Sequence, residues 1–187
     1  VKILLIDNGT IHLDELKKLL EKENLTTITK EGITEEIASG YELVILSGSS
    51  DISVATNPEA YAKEINLIKE SSTPILGICM GFEVIAYTYG AKLKEMPYKE
   101  DGLVDIIVTK DNPIFGNKKR FLVSERHRWI VDKITEPLEE LAISKDGVEA
   151  IKHKYKPIYG FQFHPEIHED KNTGIEIFNN LLSLLKT

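Results

Sequence analysis

The chain has 187 residues, 42% of them hydrophobic and 28% charged, with a formal net charge of −7. That length suits one well-packed unit rather than two ordinary ones, so residues 1–187 read as a single domain, and the acidic balance excludes bulk attraction to nucleic acid or an anionic membrane as the main task of the surface. No apolar run approaches the ~20 residues of a membrane span, the first seven residues lack the pattern of a secretory signal, and one cysteine makes no internal disulfide, so a reducing, cytoplasmic setting is expected.

Residues 1–6 form an apolar run ending in Asp7-Asn8-Gly9, the pattern of a buried strand followed by a turn. Residues 12–24 place Leu13, Leu16, Leu19 and Leu20 at helical spacing, with Glu and Lys opposite. A second strand, Leu43-Val44-Ile45-Leu46, runs into Ser47-Gly48-Ser49-Ser50. Asn57-Pro58 signals a helix start, a capping residue before proline at the first helical position. That helix turns Tyr61, Ile65 and Ile68 inward and stops near Ser71-Ser72. A third strand over residues 74–78 leads into Cys79 and a helix to about Tyr89, closed by Gly90. Strand–helix alternation of this kind builds a parallel sheet covered on both faces.

Past Gly90 the pattern changes. Residues 103–108, 121–123, 141–144, 148–153 and 158–163 read as strands separated by turns, some antiparallel, with Lys145-Asp146-Gly147 as a hairpin turn. The last helix opens at Thr173-Gly174-Ile175-Glu176, a capping-box pattern, with Ile175, Phe178, Leu182 and Leu185 on one face. The expected fold class is α/β: a mostly parallel central sheet with helices on both faces, plus a small antiparallel β section in the second half.

Chemistry concentrates at the single cysteine. Gly77-Ile78-Cys79-Met80-Gly81 places a thiol where a buried strand turns sharply into a helix, at the carboxyl edge of the sheet, where open α/β folds bind ligands. Free N–H groups and the positive dipole end of the helix favour thiolate over thiol. A nucleophilic thiol needs a base, and the base an orienting group. His164-Pro165-Glu166 supplies both just beyond a strand end, and the short offset lets Glu166 reach back to one imidazole nitrogen. The other histidines, His12, His127, His153 and His168, lack that combination and read as surface or packing residues. No spacing of Cys and His supports a metal site, and no phosphate-cradling motif supports a nucleotide cofactor.

Together the two motifs resemble the class I (triad-type) glutamine amidotransferases. The resemblance extends over nearly the whole chain: Ile6-Asp7-Asn8-Gly9, Ile45-Leu46-Ser47-Gly48, Pro74 to Cys79, and Pro157-Ile-Tyr-Gly-Phe-Gln-Phe-His164-Pro-Glu166. The opening turn and the stretch from Glu149 through Gly160 are most similar to the stand-alone amidotransferase subunit of archaeal GMP synthetases. The resemblance implies a flavodoxin-like fold and hydrolysis of the glutamine side-chain amide through a Cys79 thioester. His164 would then be the base, Glu166 its partner, and the amides of Met80 and about Ser49 the oxyanion donors. It further implies that the ammonia passes to an ATP-using synthetase, which here would be a partner chain in trans, and that the amidotransferase carries no cofactor.

The sequence departs from the family at two places. The elbow continues as Gly81-Phe82-Glu83 where the family has Gly-His-Gln, so Glu83 either brings negative charge toward the substrate or lies on the solvated helix surface. The oxyanion loop is Ser47-Gly48-Ser49-Ser50 in place of Ser-Gly-Gly-Pro, and a positive φ there would cost serine about 1 kcal/mol. His127 matches a pocket-lining segment, and its neighbours Arg126 and Arg128 either pair with Glu83, hold a substrate carboxylate or face solvent. Gly48, Glu83, His127 and Arg128 are thus the candidate substrate contacts. Two other readings stand beside the glutaminase: a hydrolase of another γ-glutamyl or amide substrate, and a non-catalytic relative that binds a partner.

Overall fold

The computed structural model describes residues 1–185. Among the described residues nine strands join one sheet in the order β2-β1-β3-β4-β9-β8-β6-β5-β7. The first five in that order are parallel: β2 (Asn24–Thr29), β1 (Lys2–Asp7), β3 (Leu43–Leu46), β4 (Ile75–Ile78) and β9 (Ile158–Phe161). β1 to β4 and β9 supply a two-sided core. Alternation sends Ile3 and Leu5 of β1 to one face and Leu4 and Ile6 to the other. On the first face lie α1 (Leu13–Leu19) and α4 (Gly174–Leu185), which contribute Leu16, Ile177, Phe178 and Leu181. On the second lie α2 (Ala62–Glu70) and α3 (Met80–Thr88), which contribute Leu67, Ile68, Phe82 and Ile85.

The remaining strands are antiparallel. They are β5 (Lys92–Val108), β6 (Arg120–Lys133), β7 (Leu138–Ile143) and β8 (Val148–His153), with β8 also antiparallel to β9. Because β5 pairs with β7, β7 with β8, and β8 with β6, these four strands close on themselves. Lys145-Asp146-Gly147 makes the turn between β7 and β8, as expected.

Several elements differ from the sequence reading. The helix expected over residues 12–24 ends at Leu19, and residues 24–29 form β2 instead. β2 is a half-exposed edge strand, so its Leu-Thr-Thr-Ile-Thr lacks a strong apolar signal, while β-branched Thr26, Thr27 and Ile28 suit a strand. The helix announced by Asn57-Pro58 begins as a 3-10 turn, Pro58–Tyr61, and the Asn57 side chain accepts no capping bond. β5 and β6 are much longer than the segments 103–108 and 121–123, because charged residues fill their solvent side. At α4 the capping box does not form. Asn172 Oδ1 accepts from the Gly174 amide at 2.8 Å, and Glu176 turns out to Lys118 at 2.6 Å. The inward face is Ile177, Phe178, Leu181 and Leu182, leaving Ile175 half-exposed.

Candidate active site

The carboxyl ends of β1, β3, β4 and β9 converge on one edge of the sheet, where ligands bind in open α/β folds. β4 ends at Ile78, and Cys79 turns the chain into α3 with φ +50° and ψ −104°. A side chain in that region is strained by about 1–2 kcal/mol, and Cys79 is held there from both sides. Its amide donates to the Phe161 carbonyl at 2.8 Å, and its own carbonyl accepts from the Glu83 amide at 3.0 Å. Glycine is required at both flanks: a Cβ on Gly77 would stand 2.4 Å from the Gly81 backbone, and one on Gly81 2.3 Å from the Leu46 carbonyl oxygen. The Gly-x-Cys-x-Gly spacing is therefore the steric condition for folding α3 back against β3 and β4.

His164 lies three residues past Phe161, the end of β9, its amide donating to the Ser124 carbonyl at 2.9 Å. Its Nδ1 is 2.7 Å from Glu166 Oε1. A carboxylate accepts, so Nδ1 carries the hydrogen and Nε2 is left with its lone pair. Nε2 has no partner within its own network, and the imidazole interacts with the Cys79 sulfur. Gly48 flanks both: a Cβ there would touch His164 Cε1 at 3.4 Å and Cys79 Cβ at 3.5 Å, ordinary van der Waals contact.

Burial pushes the Cys79 thiol up, and His164 pulls it back. Burial likewise disfavours a charged imidazole, but the sulfur and Glu166 outweigh it and raise His164 to about 10. Both shifts describe one proton shared by a coupled pair: in this dry site a sulfur anion is stable only beside a charged ring.

The loop after β3 is anchored from behind. Asn8 donates its amide to Ser47 Oγ at 2.9 Å, and its Nδ2 to the Ser47 carbonyl at 3.1 Å and to Glu64 Oε1 at 3.0 Å. Burial raises Glu64 to about 7. The Ser50 amide bonds the Gly9 carbonyl at 3.2 Å, while Ser49 and Met80 border the open cavity. Neither Ser49 nor Ser50 adopts a positive φ, so the strain expected from losing the glycine does not arise.

Glu83 is buried, not solvated. Its Oε1 accepts from Gln162 Nε2 at 3.2 Å, and the same amide nitrogen lies 3.9 Å from Cys79 Sγ. Burial pushes this carboxyl up to about 7, so near neutral pH a large share of it is uncharged, where the sequence led one to expect a fully negative group. Neither arginine pairs with it: Arg126 Nε binds Asp101 at 2.8 Å, and exposed Arg128 reaches Glu95 at 3.8 Å. His127 borders the cavity, but its Nδ1 is 2.9 Å from the Trp129 carbonyl and its Nε2 rests on Glu125, which leaves no ring nitrogen for a ligand. His153 packs against Tyr89 and accepts from two amides, and His168 is exposed, as expected for both.

Cys79, Met80, Ser49, Glu83, His127, Arg128 and His164 all line one cavity of about 350 Å³, the size of a small-molecule site. A larger hollow of about 560 Å³ beside α2 is lined by neither a thiol nor an imidazole. The sequence reading gave no role to Gln162 and took His12 for a surface or packing residue, whereas His12 lines the cavity. Gln162 shares the face of His164 by strand alternation, a signal present in Phe-Gln-Phe-His. His12 follows the β1 turn on the same sheet edge, its ring 5.5 Å from that of His164 in an edge contact.

Residues 4–184 match the family model "Glutamine amidotransferase class-I". The chain belongs to that family. Among its relatives is a glutamine-hydrolyzing GMP synthase subunit of Methanocaldococcus jannaschii, 37% identical over 184 residues, with 95% of this chain and 94% of the relative covered. The protein of the same description from Thermococcus kodakarensis is 33% identical, covering 97% of each. Among solved structures, a GMP synthase subunit candidate from Thermoplasma acidophilum superposes with a TM-score of 0.88 at 26% identity, covering all of this chain and 94% of the other. This amidotransferase chain thus shares the α/β fold of those relatives from end to end.

Proposed function

We propose that this class-I amidotransferase chain hydrolyses the side-chain amide of glutamine and delivers the ammonia to a separate ATP-using synthetase of the GMP synthase type, with residues 1–187 acting as one unit in the cytoplasm. The observation that carries the reading is His164, held at Nδ1 by Glu166 with its other nitrogen turned to the Cys79 side of the cavity. In the reaction, Nε2 takes the thiol proton as sulfur attacks the amide carbon. The oxyanion is received by the Met80 and Ser49 amides; Met80 opens α3, where an N–H has no helical partner. Collapse breaks the C–N bond, and His164 returns the proton to the departing ammonia. Water then attacks the thioester, giving its proton to His164, and glutamate leaves as sulfur is reprotonated.

Glu83 takes part in its uncharged form, because a neutral carboxyl beside the sulfur neither repels the thiolate nor opposes a substrate carboxylate. The test is ammonia release from glutamine by the chain alone and with its synthetase, beside Cys79→Ala. Turnover that needs Cys79 supports the assignment. Turnover on another γ-glutamyl amide but not on glutamine would redirect it, and none in either setting would remove it.

A further inference from the structure

Behind the cavity wall, β6 and β8 bring together Glu125, His127 and Glu149, each 4% exposed or less. One polar atom of each lies within 4.8 Å of the other two. The His127 ring is engaged at both nitrogens, by the Trp129 carbonyl and by Glu125 Oε2. Glu149 Oε1 accepts from the Ser144 hydroxyl at 2.6 Å. That leaves one oxygen on each carboxyl, Glu125 Oε1 and Glu149 Oε2, fully buried and with no donor within reach. The carboxyls of Glu125 and Glu149 thus lie within reach of each other, each with an orphaned oxygen, and two carboxyls bond to each other only when one carries a proton.

We propose that Glu149 is a positioning residue: its protonated carboxyl donates to Glu125, and this acid–carboxylate link fixes His127 and the β6 wall of the active-site cavity. With Nδ1–H given to the Trp129 carbonyl, the contact between Nε2 and Glu125 Oε2 holds a proton of its own, so Glu125 is already served on that side, whereas the other partner of Glu149 is a neutral hydroxyl; the shared proton therefore belongs on Glu149. Burial, followed by the charge of Glu125, holds Glu149 well above the usual carboxylate range. Backbone pairing explains why a side-chain link is needed here. Among the described residues β6 and β8 pair only at Val131 and Val148, so nothing in the ladder ties them together beside the cavity. The consequence reaches the sulfur, since the next residue on β6, Arg126, turns its carbonyl to Cys79 Sγ at 3.9 Å. The charged groups facing the trio are Glu100 on β5, Lys145 and Asp146 in the β7–β8 turn, and Glu83 on α3. Losing the shared proton leaves two adjacent buried carboxylates, which push β6 from β8.

The kinetic arm rests on the glutaminase reading; the spectroscopic arm does not. Infrared spectra of the full chain near pH 7 should contain a protonated-carboxyl carbonyl band that Glu149→Gln removes. With glutamine and the synthetase present, Glu149→Gln should keep kcat/KM within about threefold of wild type and lose part of the alkaline fall in rate. Glu149→Ala should raise KM about tenfold or more with a smaller change in kcat. Unchanged kinetics in a folded Glu149→Ala, or no band assignable to Glu149, would overturn the proposal. So would one equivalent of a divalent cation retained by the wild-type chain and absent from Glu149→Gln, since the facing oxygens would then hold a metal rather than a proton. If no form turns over glutamine while the Glu149 band is present, the activity reading fails and the link stands.

Discussion

Replacing Glu83 by glutamine exchanges a buried ionisable group for a neutral one of the same shape, and its effect on stability depends on pH in a calculable way. The carboxyl sits at 1% exposure with one acceptor bond from Gln162 and one oxygen unpartnered, and burial raises it from 4.5 to about 7. A folded-state value above the unfolded one means the folded protein binds more protons between the two. The stabilisation is therefore complete below pH 4.5 and is lost as pH climbs through about 7. The gap corresponds to about 3 kcal/mol at 1.36 kcal/mol per tenfold. Glutamine keeps the acceptor for Gln162, so near pH 4 the two proteins should differ by about 1 kcal/mol or less. By pH 8 the variant should be the more stable by about 3 kcal/mol, roughly 6–12 °C in Tm for a chain of this size. Urea unfolding of both proteins at the two pH values measures this directly, and the other buried carboxyls cancel because both proteins retain them. A stability difference that stays constant from pH 4 to pH 8 would refute the burial argument and place Glu83 in contact with water.

The site makes three further predictions. Glu166→Gln should leave the fold intact while lowering kcat by about 10²-fold or more, because an amide does not hold Nδ1–H toward itself with the same charge; steady-state ammonia release checks this. Gly77→Ala and Gly81→Ala should each cost several kcal/mol, since their methyl groups would meet backbone at 2.4 and 2.3 Å, and thermal unfolding would expose a wild-type-like Tm as a contradiction. Cys79→Gly should abolish turnover yet recover about 1 kcal/mol of backbone strain, offset by the loss of a small buried side chain, so its Tm should stay within a few degrees of wild type.

Much of this arrangement is legible in the amino-acid order alone. The parallel strands of the core are short apolar runs, and Gly-x-Cys-x-Gly encodes the elbow because only glycine clears the backbone on either side. His164 and Glu166 are readable as a pair from their offset. What escapes is set by tertiary surroundings. β2 is hidden because an edge strand half in water carries little apolar pattern, and β5 and β6 look too short because charged residues cover their outer side. The charge on Glu83 is misjudged for a related reason: a sequence displays a carboxyl but not the desolvation that lifts its titration to about 7. The arginines beside His127 look poised for the cavity, yet Asp101 and Glu95, some 25 to 35 residues earlier in the chain, claim them instead.

The self-closure of β5, β6, β8 and β7 limits how the protein can associate. Where its strands bond back onto one another, at Ile107 and Val108 of β5 and at Val131 of β6, that end of the sheet is covered by its own backbone, while β2 at the other end is an open margin rich in threonine. On the proposed function, a synthetase that covers the loops above Cys79 would both join the two proteins and keep a volatile, diffusible product from escaping into bulk solvent.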